Sequence, residues 1–334
     1  MISDYKKVLV TGGAGCIGMA ICKELSKRGI HVNLFDLPEQ IIQVKNYIQS
    51  KTTICYGSIL DKSSLREAIV DCDAVIHLAA YLGVHRTETN KLRCLEINID
   101  GTKNVIECAV QHRVKKFVFA SSSEVYGEPL ENPVNEEAIL QGKSVYAISK
   151  MAGEEILKAY SQRYPAMSYT ILRYFNTYGP FQKAQFVIPK FISSVINGSP
   201  PVIYGDGQQK RSYCFSSDTA KGTVEALISD KSNNDIYNIG NSHILITLND
   251  LAKLIINASG HLKDLVPRYE AEFKNADRSR AREVFSRHCN ISKAKEILNY
   301  NPIVSLEDGI KEIIDSGLIM TKWATTDLDY TIDE

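Results

Sequence analysis

Two residues four apart open the chemistry: Tyr146 and Lys150, in the run Y-A-I-S-K. On a helix such residues share a face, so the ammonium of Lys150 lies beside the phenol of Tyr146. A neighbouring cation favours the phenolate and lowers its pKa. A phenol tuned that way can take the proton of a sugar or alcohol hydroxyl as hydride leaves for a nicotinamide. The lysine can also hold the nicotinamide ribose. Y-x-x-x-K recurs by chance on many helices, so the pair needs a partner. Ser121-Ser122-Ser123-Glu124 supplies one, directly after the apolar run Phe117–Ala120. A hydroxyl there can hydrogen-bond the oxygen that the tyrosine serves, while its neighbours are ordinary turn serines.

A second group of residues would hold the cofactor of such a step. The run from Val8 to Gly18 is V-L-V-T-G-G-A-G-C-I-G. An apolar β-type stretch ends in glycines at 12, 15 and 18, and a helical pattern follows at once. One glycine permits the tight turn, one lets the backbone approach a pyrophosphate, and one lets helix pack closely on strand. The helix N-terminus adds free N–H groups and partial positive charge. Asp36 closes the next β-type run, Val32–Phe35, 18 residues beyond Gly18. A carboxylate there accepts hydrogen bonds from the adenosine ribose and repels a 2′-phosphate, which favours NAD over NADP. Arg28 falls within the helix rather than after the strand. Cys16 is at a helix N-terminus, which can lower a thiol pKa, but it reads as a small apolar filler beside the cofactor.

The elements that must position these groups alternate through the first half. β-type runs lie at Val8–Thr11, Val32–Phe35, Thr53–Tyr56, Ala74–His77, Phe117–Ala120 and Tyr169–Leu172. Helical patterns lie between them, at Ile17–Arg28, Ser64–Val70, Thr102–Gln111 and Tyr146–Tyr164. Continuous apolar strands separated by helices predict an α/β fold with a doubly wound parallel sheet covered on both faces. The ligand is then expected at the carboxyl ends of the strands. After Pro180 shorter elements follow, punctuated by Pro189, Pro200, Pro201, Gly205 and Gly207. Thr247 is expected to cap a helix through Ser259, and Ser305 with Asp308 to cap the last one. These pieces predict a first domain over 1–180 and a smaller α/β lobe over 181–334 that binds substrate, with the chain crossing back to the first domain. From about Trp323 onward the chain is an acidic tail.

Composition sets limits. The chain has 334 residues, 44% hydrophobic and 23% charged, with 39 Lys+Arg balanced by 39 Asp+Glu. Such a balance gives no bulk attraction to nucleic acid or a membrane surface. No apolar run has the length of a membrane span, and no signal-peptide core stands near Met1. The eight cysteines form no C-x-x-C pair, which points to a reducing cytoplasm rather than to a disulfide framework or a metal site.

Together these motifs resemble the extended short-chain dehydrogenases/reductases that modify nucleotide sugars. The resemblance runs through T-G-G-A-G-C-I-G, Asp36, H-L-A-A at His77–Ala80, N-I-D-G-T-K-N-V at Asn98–Val105 and S-S-S-E-V-Y-G at Ser121–Gly127. It continues in Y-A-I-S-K, R-Y-F-N-T-Y-G-P at Arg173–Pro180, I-Y-G-D-G-Q-Q-K-R at Ile203–Arg211 and N-I-S-K-A-K-E-I-L-N-Y-N-P at Asn290–Pro302. It implies a Rossmann-type NAD domain with Gly12, Gly15, Ile17 and Gly18 at the pyrophosphate. Ser58 and Ile59 would flank the adenine, although the family often has Asp where Ser58 stands. Leu78, Ala79 and Ala80 would line the NAD cleft and Asn98 support it. Ser122, Tyr146 and Lys150 match the family's catalytic Ser/Thr, Tyr and Lys, and Glu124 and Ser123 stand beside the sugar. Asn176 and Arg211, with Arg282 as a third candidate, would hold the nucleotide diphosphate, since a guanidinium offers forked donors. Relatives commonly dimerise by pairing the helices around Thr102–Gln111 and Tyr146–Tyr164 into a four-helix bundle. Val105, Ile106, Ala109, Met151, Ile156 and Ala159 would supply a core face and a partner face.

The family shares a first step, oxidation of the C4 hydroxyl by NAD. A 4-epimerase then returns hydride to the other face, a 4,6-dehydratase expels water across C5 and C6, a decarboxylase loses a C6 carboxylate, and a dehydrogenase releases the ketone. Ser122-Ser123-Glu124 is intermediate between the epimerase and the dehydratase or decarboxylase patterns. The second half leans to the 4-epimerases, whereas decarboxylases are expected to differ there. The 4,6-dehydratase and then the C4 dehydrogenase are the alternatives. A non-catalytic dinucleotide-binding regulator would be expected to lack the tyrosine or lysine.

Overall fold

A computed structural model of the protein describes residues 5–260, 264–270, 284 and 286–320. Arg282 and the acidic tail from Trp323 lie outside the described residues. Seven strands form one parallel sheet: β1 (Lys7–Thr11), β2 (His31–Asp36), β3 (Thr52–Tyr56), β4 (Ala74–His77), β5 (Lys116–Ser122), β6 (Ser168–Tyr174) and β7 (Asp235–Ile239). Their order is β7-β6-β5-β4-β1-β2-β3, so the direction of travel reverses between β1 and β4. Side chains alternate across the strands, and each face of the sheet has its own core. Val8, Val10, Leu34, Ile76, Val118 and Leu172 pack on one face. Leu9, Phe35, Val75, Phe117, Phe119 and Ile171 pack on the other. A sheet covered on both faces explains why its strands read as unbroken apolar runs.

Six of the strands lie where the β-type runs predict them, each longer by at most a few residues. The seventh, β7, has a signal of its own, I-Y-N-I between Asn234 and Gly240, which the broken rhythm after Pro180 conceals. It pairs in parallel with β6, from Asp235 opposite Thr170 to Ile239 opposite Tyr174. A second departure is the turn of π-helix at Glu96–Gly101, which runs straight into the helix that begins at Thr102.

The helices that matter for the site are α1 (Cys16–Lys27), α2 (Thr102–Gln111) and α3 (Val145–Arg163). Ser144 caps α3 by accepting from the Ala147 amide at 3.0 Å. In the second half, Val187–Ile196, Leu248–Ala258 and Leu306–Ser316 are helical and share an apolar core built on Ile192, Ile255 and Ile310. Thr247 and Ser305 cap the latter two, accepting from Asp250 N at 3.1 Å and Asp308 N at 3.0 Å. Short ribbons finish this half. Lys210–Arg211 pairs with Ile246–Thr247 on one side and Ser286–Arg287 on the other.

Candidate active site

The carboxyl ends of β1, β2, β4, β5 and β6 open into one cleft of about 1320 Å³, closed on the far side by the second half. Gly12, Gly15, Ile17, Gly18, Asp36, Ser58, Ile59, Leu78, Ala79, Ala80, Ser122, Ser123, Glu124, Tyr146, Lys150, Asn176 and Arg211 all line it. Asn98 does not. It is buried one layer behind, accepting from the Tyr81 amide at 2.7 Å and donating to the Tyr81 carbonyl and Ser149 Oγ, both at 3.0 Å. It therefore fixes the chain where Tyr81 turns into the cleft.

The dinucleotide end is built from main chain. Gly12 has φ +69°, and a Cβ there would sit 2.7 Å from the Ala79 amide nitrogen. A Cβ on Gly18 would collide with the Gly12 carbonyl oxygen. Both positions thus need glycine, one for conformation and approach, the other for the packing of α1 against its own loop. The first turn of α1 has no side-chain cap and no acidic residue, so its N–H groups remain available to an anion. Asp36 takes the Ala14 amide on one oxygen at 2.9 Å and the Leu37 amide on the other at 2.8 Å. It ties loop to strand at the place where a ribose carboxylate is expected. Ser58 Oγ accepts from Leu60 N at 3.2 Å, a turn-holding role as well as a lining one. The Cys16 thiol is pushed up to about 12 by burial, so it is an inert filler. These features fit NAD: a cradle that a Cβ would fill, an uncapped helix and a ribose carboxylate.

The reactive end is built from side chains on three elements. Ser122 ends β5, Glu124 follows it in a short 3-10 turn, and Tyr146 and Lys150 lie on the first turns of α3. The Tyr146 phenol faces Ser122, whose hydroxyl favours the phenolate. Lys150 Nζ donates to the Ala120 carbonyl at 2.8 Å and stands 5.7 Å from the Tyr146 ring centre. The expected lowering of the phenol pKa is absent in the free protein. Burial pushes it well up, Glu124 and Cys94 add to the rise, and Ser122 only partly opposes it. Burial likewise lowers Lys150 to about 8, against opposing effects of Cys94 and Glu154. Desolvation thus decides the state of both groups in the free protein. Glu124 Oε2 accepts from Ser144 Oγ at 3.0 Å, so this carboxylate braces the cap of α3.

Toward the second half, Asn176 has φ +24°, which asparagine tolerates better than most residues. Its amide donates to the Ser212 carbonyl at 3.0 Å and so ties the end of β6 to the ribbon that carries Arg211. Sequence reasoning missed Arg287. It lies directly opposite Arg211 in the neighbouring ribbon and lines the same cleft. Its signal was the short β-type stretch ending F-S-R, hidden among the several arginines around Arg282. Val105, Ile106 and Ala109, expected to serve partly as a partner face, are all spent inside the chain's own core. Ile148 and Ala159 remain outward on α3.

Residues 8–240 match the NAD dependent epimerase/dehydratase family. The chain belongs to that family. A UDP-N-acetyl-alpha-D-glucosaminuronate decarboxylase of Bacillus cytotoxicus is 35% identical over 92% of this chain and 97% of its own. A putative UDP-glucose 4-epimerase of Methanocaldococcus jannaschii is 36% identical over 92% of this chain and 97% of its own. Among solved structures, the UDP-glucuronic acid 4-epimerase of Bacillus cereus, in complex with UDP-glucuronic acid and NAD, superposes with a TM-score of 0.83. It is 29% identical and covers 92% of this chain and 98% of its own. The decarboxylase corrects one expectation, since its likeness extends through the second half, where such enzymes were expected to diverge. No helix among the described residues is long and apolar enough to cross a membrane.

Proposed function

We propose that this protein is an NAD-dependent nucleotide-sugar 4-epimerase, working on a UDP-sugar as the family members above do. The observation that carries the reading is the convergence of Ser122, Tyr146 and Lys150 in one part of a cleft whose other part fits a dinucleotide. When bound, NAD supplies a reversible two-electron acceptor beside the sugar. Tyr146 takes the C4 hydroxyl proton and later returns it, and Ser122 holds the same oxygen. Lys150 orients the ribose and keeps positive charge behind the phenol. Arg211 and Arg287 grip the diphosphate, so that the sugar can turn its other face to Tyr146 without leaving. The exposed Ile148 and Ala159 support a homodimer contact made by α3.

A second reading rests on Glu124. It lines the cleft and is half-buried, and a proton carrier there would suit chemistry beyond C4, either 4,6-dehydration or loss of a uronate carboxylate. The bond from Ser144 favours the epimerase, because it gives the carboxylate a bracing role that needs no proton transfer. The test is NMR of products from a panel of UDP-, dTDP-, GDP- and CDP-sugars in deuterated water. Inversion at C4 with no solvent deuterium on carbon is expected. Deuterium at C5, or release of carbon dioxide from a uronate, would overturn the epimerase reading.

A further inference from the structure

The catalytic helix carries a third titratable residue on the face of Tyr146 and Lys150. Glu154 lies one turn beyond Lys150, fully buried. Its Oε1 accepts from Ser121 Oγ at 2.5 Å and from Arg173 Nε at 3.0 Å, and its Oε2 accepts from Arg173 Nη2 at 2.7 Å. Arg173, on β6, also donates to the Tyr126 hydroxyl at 3.0 Å and to the Glu136 carbonyl at 2.9 Å. Ser121 immediately precedes Ser122, and Ala120, which precedes it, holds Lys150 through its carbonyl. Two turns of α3 are therefore stitched to consecutive residues of β5, at the point where β5 delivers its reactive hydroxyl.

We propose that Glu154 is a positioning residue for Lys150 and Ser122: locked by Arg173, it sets the height of α3 against the end of β5 and is the buried negative charge that stabilises the Lys150 ammonium. The assignment to catalysis rests on the reading above. The groups facing Lys150 make the case. Tyr146 and Glu154 face it from its own helix, Cys94 from the helix Lys91–Leu95, and His77 from β4. Glu124 stands behind Tyr146, and Arg173 behind Glu154. His77 is lowered to about 3 and is neutral, and Cys94 is raised to about 11 and stays protonated at neutral pH. That leaves Glu154 as the anion beside Lys150, with Arg173 offsetting part of its charge. An apolar pair could pin the helix as firmly, but it would leave the ammonium without this support.

The experiment titrates Lys150 by NMR in protein labelled with ¹³C-lysine, the resonance being assigned by its loss in Lys150→Met. In Glu154→Gln, Lys150 is expected to titrate about one pH unit lower than in wild type, since a nearby opposite charge is removed and Arg173 is left uncompensated. In Glu154→Gln/Arg173→Met it is expected to fall between the two. Turnover in Glu154→Gln should drop about tenfold at fixed pH with KM within about twofold, and its alkaline limb should move down with Lys150. The double variant removes the guanidinium together with its carboxylate and so leaves Arg173 no uncompensated charge, and it carries the measurement should the single variant fail to fold. Lys150 titrating at the same pH in every folded variant would overturn the proposal. A wild type that alters no nucleotide sugar would remove the reaction itself, while the titration in the free protein still decides what Glu154 does to Lys150.

Discussion

The two ends of the cleft are made of different materials. The dinucleotide end is main chain: glycines without Cβ, an uncapped helix and amides ordered by Asp36, all within 36 residues of Met1. The other end, proposed for the reaction and the diphosphate, is side chain: Ser122, Tyr146, Asn176, Arg211 and Arg287, brought together from elements far apart in sequence. Main-chain recognition depends on backbone shape, which short-range sequence dictates. Side-chain recognition depends on register between distant elements. The first should be intolerant of added atoms and indifferent to chemistry, and the second the reverse.

The largest effect should come from removing one oxygen at the side-chain end. Tyr146→Phe is expected to cost about 10²–10⁴-fold in turnover, the usual worth of general acid–base catalysis, with NAD affinity within about threefold. Steady-state kinetics beside calorimetric NAD titration checks both. Near-normal turnover would remove Tyr146 from the proton transfer and leave Ser122 or a water in its place.

At the main-chain end the equivalent blow is one added methyl. Gly12→Ala must hold a positive φ and push a Cβ against Ala79. Strain of about 1–3 kcal/mol converts to about 5–150-fold weaker NAD binding, accompanied by a lower Tm. Calorimetry and thermal unfolding read the two together. Unchanged affinity would mean that the loop relaxes freely and that the contrast between the two ends is false.

Asp36 is the charged side chain that orders the main-chain end. Asp36→Ala removes a ribose acceptor and also frees the Ala14 and Leu37 amides, so NAD should weaken by about 10–100-fold, the worth of hydrogen bonds to a charged group. NADP should weaken less, because a repulsive charge is lost with the hydrogen bonds. Wild-type protein that binds NADP more tightly than NAD would show that Asp36 does not face the ribose.

The same contrast explains what the sequence could reveal. Gly12, Gly15, Gly18 and Asp36 were legible because their spacing is local and its physical meaning is narrow. Tyr146 and Lys150 were legible as a pair because one helix carries both. Their charge balance was not, because it depends on burial and on Glu124, Cys94 and Glu154, whose proximity no local pattern states. β7 was missed although I-Y-N-I carries a signal, since its partner β6 lies some sixty residues earlier. Arg287 was missed for a similar reason: only the ribbon pairing sets it opposite Arg211.

The smallest expected effect is the one that separates the two reactions. Glu124 belongs to the side-chain end by position, yet its bond from Ser144 gives it the bracing work typical of Asp36. Glutamine keeps an acceptor oxygen for Ser144 Oγ and cannot carry a proton. If the carboxylate only braces the cap of α3, Glu124→Gln should retain turnover within about fivefold, while Glu124→Ala, which orphans the Ser144 hydroxyl, should lose more and lower Tm by the worth of a weakened cap, about 1 kcal/mol. If Glu124 moves a proton at C5 or C6, glutamine and alanine should both cost about 10²–10⁴-fold, with C4 oxidation still detectable as NADH absorbance. Rates of all three proteins on the substrate that the wild type converts decide between these outcomes. A Glu124→Gln variant as dead as Glu124→Ala would take Glu124 out of the scaffold and into the chemistry, and the epimerase reading would fall with it.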